Sequence, residues 1–470
     1  MKNLFILILL CLAISDSLSQ SCLPEGIVFT RQSQIDSFPI LYPNCIEVMG
    51  SVEINGTSSP IFILSGLANL KVIKGNLRIL HCDSLATLHG LEQLHLIGQT
   101  LSIQDNVNLV SIAHFVNLDS IGWQIHITGN AVLESLLGLG KIRALRMINT
   151  IFNNASLENM MGLNQLKEVR GDLRIINNHR LENLYGLDSL KIIYGNLEVR
   201  GHNNLTSFSG LSNLREIGTD LDIQSNRTLF HLEGLSQLER ISRTLQIANC
   251  PDLIDLVGMD KLNHIGLLSL SRNNELVNLH GLETLTTITT RVFIIECENL
   301  ENVDALSNAT GLTESIFIKD NAKLNNLQGL GNLCEDHLEF ITLQDNPSLS
   351  DCAAHCICEH LFSGSTNNIS GNLSGCNTRE EIVEACLVGT EGTEKEREII
   401  LTPNPTQGLM EIIGLQTEDY SIRLINLMGK VVRKSVGSTP LLDLYDLEPG
   451  IYIVSIQRGN VLLNHRVIKY

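Results

Sequence analysis

The chain has 470 residues, 43% hydrophobic and 18% charged, which excludes wholesale disorder and a collagen-like fibre. Aromatic residues make up only 4%, so a repetitive Leu, Ile, Asn and Gly framework is expected in place of an ordinary enzyme core. A formal net charge of −18 argues against a nucleic-acid partner or an anionic membrane surface.

Residues 1–19 read as a secretory signal. Lys2 supplies the positive start, Leu4 to Ile14 is an apolar stretch too short to span a bilayer, and Ser17 and Ser19 are small residues at −3 and −1. Cleavage is expected before Gln20. No later stretch reaches the ~18 uninterrupted apolar residues of a transmembrane helix. The remainder divides into an N-terminal cap (20–56), a solenoid (57–350), a Cys-rich C-terminal cap (351–388), a charged linker (389–398) and a small β-domain (399–470).

Self-similarity at a fixed period decides the fold of the middle. Cys82, Asn106, Asn130, Asn154, Asn178, His202, Asn226, Cys250, Asn273, Cys297, Asn321 and Asn346 follow one another at steps of 24, apart from one of 23 and one of 25. After each such marker, apolar residues return every third position, as at Leu181, Leu184, Leu187, Leu190 and Ile193. From the Cys82 repeat to the Cys297 repeat, all fifty of these positions are apolar. A period of three fits neither the 3.6 of a helix nor the 2 of a half-exposed strand. It fits a flattened coil whose short extended arcs each turn one side chain inward. Coils then stack into parallel sheets at ~4.8 Å, giving a mostly-β parallel β-helix about 60 Å long that needs capped ends. Asn or Cys at the marker is the residue leucine-rich repeats place in the tight turn after the strand. Cys82, Cys250 and Cys297 are therefore expected to be buried structural thiols, and His202 a satisfied core group.

The opening Cys22-Leu-Pro-Glu-Gly-Ile-Val-Phe29, Gln34-Ile-Asp-Ser-Phe38, Tyr42-Pro-Asn-Cys45 and Gly50-Ser-Val-Glu-Ile54, followed by these coils, resembles the receptor L-domain family. That family includes the ligand-binding lobes of insulin and epidermal growth factor receptors. The resemblance covers roughly residues 22–386 and implies a right-handed β-helical solenoid, related to leucine-rich repeats, that binds without catalysis.

Eight cysteines outside the signal and the markers, Cys22, Cys45, Cys334, Cys352, Cys356, Cys358, Cys376 and Cys386, suit disulfides in an exported chain. Cys22–Cys45 would close the N-terminal cap. The other six allow fifteen pairings, and spacing does not choose among them. A zinc site from Cys352, Cys356, Cys358 and His355 or His360 is the rival reading, disfavoured by its irregular spacing.

After the linker, the texture becomes short alternating strands, 410–413, 421–427, 431–434, 451–457 and 461–469, with turn signals between them. Leu401-Thr-Pro-Asn-Pro-Thr-Gln-Gly408, Ile425-Asn-Leu-Met-Gly-Lys-Val-Val432, Leu447-Glu-Pro-Gly-Ile-Tyr-Ile-Val454 and Arg466-Val-Ile-Lys469 resemble the C-terminal sorting domain of type IX secretion. Pro403, Asn404, Pro405, Gly429, Lys430, Gly450 and Tyr452 carry the likeness. It implies an Ig-like sandwich, an organism of the Bacteroidota, recognition by the type IX machinery, and a secreted or outer-membrane-associated destination.

No catalytic signature, metal site or cofactor motif emerges. Function is therefore sought in outward rows of the long sheet, one of which reads Arg78, Ser102, His126, Thr150, Arg174, Glu198, Asp222, Gln246, Ser269, Phe293, Phe317 and Thr342. Arg174, Glu198 and Asp222 form a salt-bridge ladder, a ligand patch or, with Asp172 and Asp220, paired carboxylates suited to glycoside chemistry. Phe293, Phe317 and Phe340, with Ile295, form a partner surface or a face covered by the cap. Trp123 is packing or a sugar platform. Asn-x-Ser/Thr sites include Asn154 and Asn226, whose inward positions argue against glycans. The reading is an exported, non-enzymatic binding or adhesion protein with a protein or glycan ligand. The alternatives are a β-helical polysaccharide lyase or hydrolase, and a eukaryotic receptor-like ectodomain.

Overall fold

A computed structural model describes residues 21–334, 338–388, 400–413, 421–426, 429–436, 441–458 and 461–470. The expected signal (1–19) and the linker (389–398) lie outside the described residues. Two compact units result, residues 1–238 and 239–470.

In the first unit, each coil contributes a two-residue arm and a four- or five-residue arm. Val72–Ile73 and Leu77–Leu80 belong to one coil, and Leu96–Ile97 and Leu101–Gln104 to the next. Equivalent arms of successive coils pair in parallel and in register, so Leu77 lies beside Leu101 and Leu101 beside Ile125. The apolar positions read from the period of three all point inward: all fifty are at most 5% exposed. Burial at every third residue is incompatible with a helix, on which positions three apart drift by about 60° per step and would spread around the whole circumference.

The turn after each long arm is set by its marker. The residue just before it adopts a left-handed conformation, as at His81, Asp105, Gly129, Asn153, Asn177, Gly201 and Ser225. The marker then closes the turn from inside. Asn154 Oδ1 accepts from the Asn130 backbone N–H at 3.2 Å, and its Nδ2 donates to Ile127 O at 2.8 Å. Asn106, Asn130 and Asn178 make the same contacts, each fully buried. The buried amides that a tight turn strands are thereby satisfied by a side-chain ladder running along the coil axis. Helix Gln32–Leu41 covers the first coil with Ile35 and Phe38, and a Cys22–Cys45 disulfide ties the N-terminal segment down.

The second unit continues the pattern. Its arms merge into longer strands at His264–Ser271 and Thr287–Ile295, and the Asn ladder runs through Asn273, Asn321 and Asn346. A further marker, Asn372, accepts from Asn346 N–H, and strand Thr366–Ser370 pairs with Phe340–Gln344. The parallel ladder therefore runs on inside the segment read from sequence as cap. Helices His355–Phe362 and Arg379–Val388 follow, stapled by Cys334–Cys356, Cys352–Cys376 and Cys358–Cys386. The thiols proposed for zinc are thus all in disulfides. Cys82, Cys250 and Cys297 are free and buried, and burial pushes the Cys82 and Cys297 thiols up to about 11.

Residues from 400 onward form two antiparallel sheets. Three strands, Ile400–Thr402, Leu409–Ile413 and Leu441–Asp443, make one; Val431–Val436, Ser421–Asn426, Gly450–Arg458 and Val461–Lys469 make the other. Ile400–Thr402 and Leu441–Asp443 were not expected, being too short for alternation to show. Met410, Ile412, Leu424, Leu442, Val454 and Val467 fill the space between the sheets.

Candidate functional site

The outward row of the long arms is in the expected register within the first unit: Thr150 beside Arg174, Arg174 beside Glu198, and Glu198 beside Asp222. The charges form a continuous ladder. Arg174 reaches Asp172 and Glu198, each at 3.1 Å, and Arg200 pairs with Asp222 and lies 4.0 Å from Glu198. Asp172 is further committed, since its Oδ1 accepts the Asn196 N–H at 2.9 Å. Every carboxylate of the ladder thus has a guanidinium against it, an arrangement that neutralises charge along the sheet. A retaining glycosidase needs one carboxyl free to shed or hold a proton, and the ladder supplies a cation to each instead.

In the second unit, Phe293 lies beside Phe317, with ring centroids 5.8 Å apart. Phe340 is two residues out of that row: it sits beside Ser315, and buried Thr342 occupies the place next to Phe317. Phe293, Phe317 and Thr342 each stand four residues before their markers, whereas Phe340 stands six before Asn346. All three phenylalanines are half-buried. Trp123 is 44% exposed.

A different row stacks four cations, and the sequence reading passed over it. At the residue preceding each two-residue arm stand Lys71, His95, Asp119, Arg143, Lys167, Lys191 and Arg215, spaced by 24 throughout. The last four are stacked directly: Lys167 N–H donates to Arg143 O at 2.8 Å, Lys191 N–H to Lys167 O at 2.9 Å, and Arg215 N–H to Lys191 O at 2.9 Å. All four side chains are exposed. Arg170 beside them is paired with Glu168, but among the described residues Arg143, Lys167 and Lys191 make no ion pair. At the head of the column, the ladder of short arms is interrupted between Ser120–Ile121 and Ala144–Leu145. An open recess of about 680 Å³ lies there, lined by Asp119, Lys141, Arg143, Arg146 and Gln165. Four cations at the spacing of a parallel sheet, continued by Lys141 and Arg146, form a line of positive charge on a chain of net charge −18.

The motif residues near the C-terminus hold their sandwich together. Asn404 Nδ2 donates to Arg466 O at 2.6 Å and its Oδ1 accepts Ile468 N–H at 2.9 Å, sewing the Pro403–Pro405 segment to the last strand. Gly429, at φ +70°, and Lys430 close the turn after Ser421–Asn426, where Lys430 N–H donates to Asn426 Oδ1. Gly450 opens the strand in which buried Tyr452 donates its hydroxyl to Glu448 O at 2.8 Å.

Residues 401–470 match the family model of the secretion system C-terminal sorting domain. The chain carries a type IX sorting tail. Such a tail is read by secretion machinery, and so marks the preceding solenoid for export. Among the described residues no helix is long and apolar enough to cross a membrane. Among curated proteins, none matches the chain.

Proposed function

We propose that this chain is an exported, non-enzymatic binding protein whose solenoid holds an acidic glycan along the column Arg143, Lys167, Lys191 and Arg215. The observation that carries the reading is that column: four exposed cations in one straight row, on a chain whose sorting tail sends it outside the cell. A row one residue wide suits a single extended polyanion, because each cation meets a successive acidic group with no need for a deep cleft. Carboxylated or sulfated polysaccharide is the class that one narrow row selects, since duplex nucleic acid and an anionic bilayer each present a broader charged face. Binding without turnover is favoured because Glu198 and Asp222 are each engaged by arginine. The receptor L-domain resemblance of the N-terminal segment points the same way.

The test is affinity for a uronate polysaccharide measured in wild type and in an Arg143→Gln, Lys167→Gln, Lys191→Gln variant. These side chains are exposed, so the fold is expected to survive. Binding should weaken by at least tenfold in the variant and fall with added salt in wild type, since exposed charges are screened beyond ~8 Å at physiological ionic strength. Equal affinity in both proteins, or tighter binding of DNA than of polysaccharide, would contradict the proposal.

A further inference from the structure

His89 and His114 lie on consecutive coils of the first unit, held in register by a parallel bridge between Thr87 and Ser111. His89 Nδ1 is 2.7 Å from Glu92 Oε1, and Gly90 N–H donates to Glu92 Oε2 at 2.9 Å. Burial pushes the Glu92 carboxyl up, but the Gly90 amide and the His89 ring outweigh it and hold it below the usual range. The two imidazoles meet edge to face, 5.7 Å between centroids. His114 Nδ1 is buried and, among the described residues, has no hydrogen-bond partner. One ligating atom from each of the three residues lies within 4.8 Å of the other two.

The chain contains its own comparison. His280-Gly-Leu-Glu283 repeats His89-Gly-Leu-Glu92, again with 2.7 Å between Nδ1 and Oε1, and with Gly281 N–H donating to Glu283 Oε2 at 2.8 Å. The His–Glu pair alone is therefore a turn device of the repeat. On the next coil the register of His114, eight residues after Asn106, is taken by Ala305, eight after Cys297. The turn accounts for the pair. It does not account for a second imidazole turned toward it with an orphaned nitrogen, because an unsatisfied buried polar atom costs about 1–3 kcal/mol.

We propose that His89, Glu92 and His114 bind a divalent transition-metal ion of the zinc class. Two imidazoles and a carboxylate are a three-ligand zinc set that leaves a fourth position for water or a partner's donor atom. Tetrahedral coordination at ~2.0–2.1 Å brings ligand atoms to about 3.3 Å, so modest side-chain rotations within the present cluster suffice. Calcium and magnesium are disfavoured, since both demand oxygen ligands. The ion would join two adjacent coils and is independent of the cationic column.

The experiment is a calorimetric titration of the full chain with zinc chloride at about pH 7.5, in wild type and in His114→Ala, His89→Ala and His280→Ala variants. One site per chain is expected. Its affinity should fall more than ~100-fold, beyond the cost of losing a supporting outer-shell group, in His114→Ala and His89→Ala. His280→Ala should leave it unchanged. His89 is solvent-exposed, so that variant decides the matter if His114→Ala perturbs the coil. A site that survives either first-coil substitution, or folded wild type that takes up no zinc, would overturn the proposal.

Discussion

Replacing Asn154 with alanine is expected to destabilise the first unit by about 3–5 kcal/mol. The side chain is fully buried and serves three neighbours: Asn130 N–H and Asn130 Nδ2 donate to its Oδ1, and its Nδ2 donates to Ile127 O and to Asn178 Oδ1. Truncation leaves the Asn130 amide and the Ile127 carbonyl buried without partners, at about 1–3 kcal/mol each. A small cavity adds to the loss. Asn154→Asp keeps the acceptor but cannot donate to Ile127 O, and buries a charge, so it should be at least as damaging. Urea unfolding followed by circular dichroism measures both. A loss under 1 kcal/mol for alanine would mean that the ladder does not hold the coils. The same burial makes the Asn154 and Asn226 sequons poor glycan acceptors.

The single histidine of the ladder should make stability depend on pH. His202 is fully buried, with Nδ1 3.0 Å from Asn178 O and Nε2 3.0 Å from Ile175 O. Burial pulls its pKa down to about 4, outweighing the two carbonyls, which favour the charged ring. The unfolded ring takes up a proton near pH 6.5, whereas the folded one stays neutral until about pH 4. Unfolding therefore gains a proton across that window. Stability contributed by the neutral ring is complete above pH 6.5, declines as the pH falls, and is lower by about 3 kcal/mol once pH 4 is reached. His202→Asn restores the majority marker, whose Nδ2 can take over donation to Ile175 O, as Asn226 donates to Val199 O at 2.9 Å. The variant should match or exceed wild type at neutral pH, and its advantage should grow on acidification to pH 4. Parallel stability curves for the two proteins would contradict the assignment.

The coil was legible because its period is unlike that of any helix or sheet, and because burial at fifty positions leaves no freedom for another register. The markers were legible as turn residues from their chemistry. The Cys22–Cys45 pair was legible, but the partners of the six later cysteines were not, because spacing cannot distinguish among fifteen pairings until the helices His355–Phe362 and Arg379–Val388 place them. Phe340 stands six residues before its marker where Phe293 and Phe317 stand four before theirs, so the marker register puts Thr342 in their row and Phe340 two residues out of it. The cationic column recurs in the sequence at the same step of 24, but it precedes two-residue arms too short for strand alternation to mark. The His89–His114 approach escaped notice for the opposite reason: the two are 25 apart, off the repeat by one, and only side-chain direction brings them together.

The central claim joins export to glycan binding, and one measurement addresses both. In a host with a type IX secretion system, the quantity to measure is fluorescent uronate polysaccharide bound by intact cells. The strains to compare produce the full chain, the chain lacking residues 401–470, or the chain with Arg143, Lys167 and Lys191 changed to glutamine. The account predicts binding by the first strain alone, with the tail-deleted protein retained inside the cell and the column variant exported but inert. Intact cells of the column-variant strain that bind as much polysaccharide as those of the full chain would contradict it.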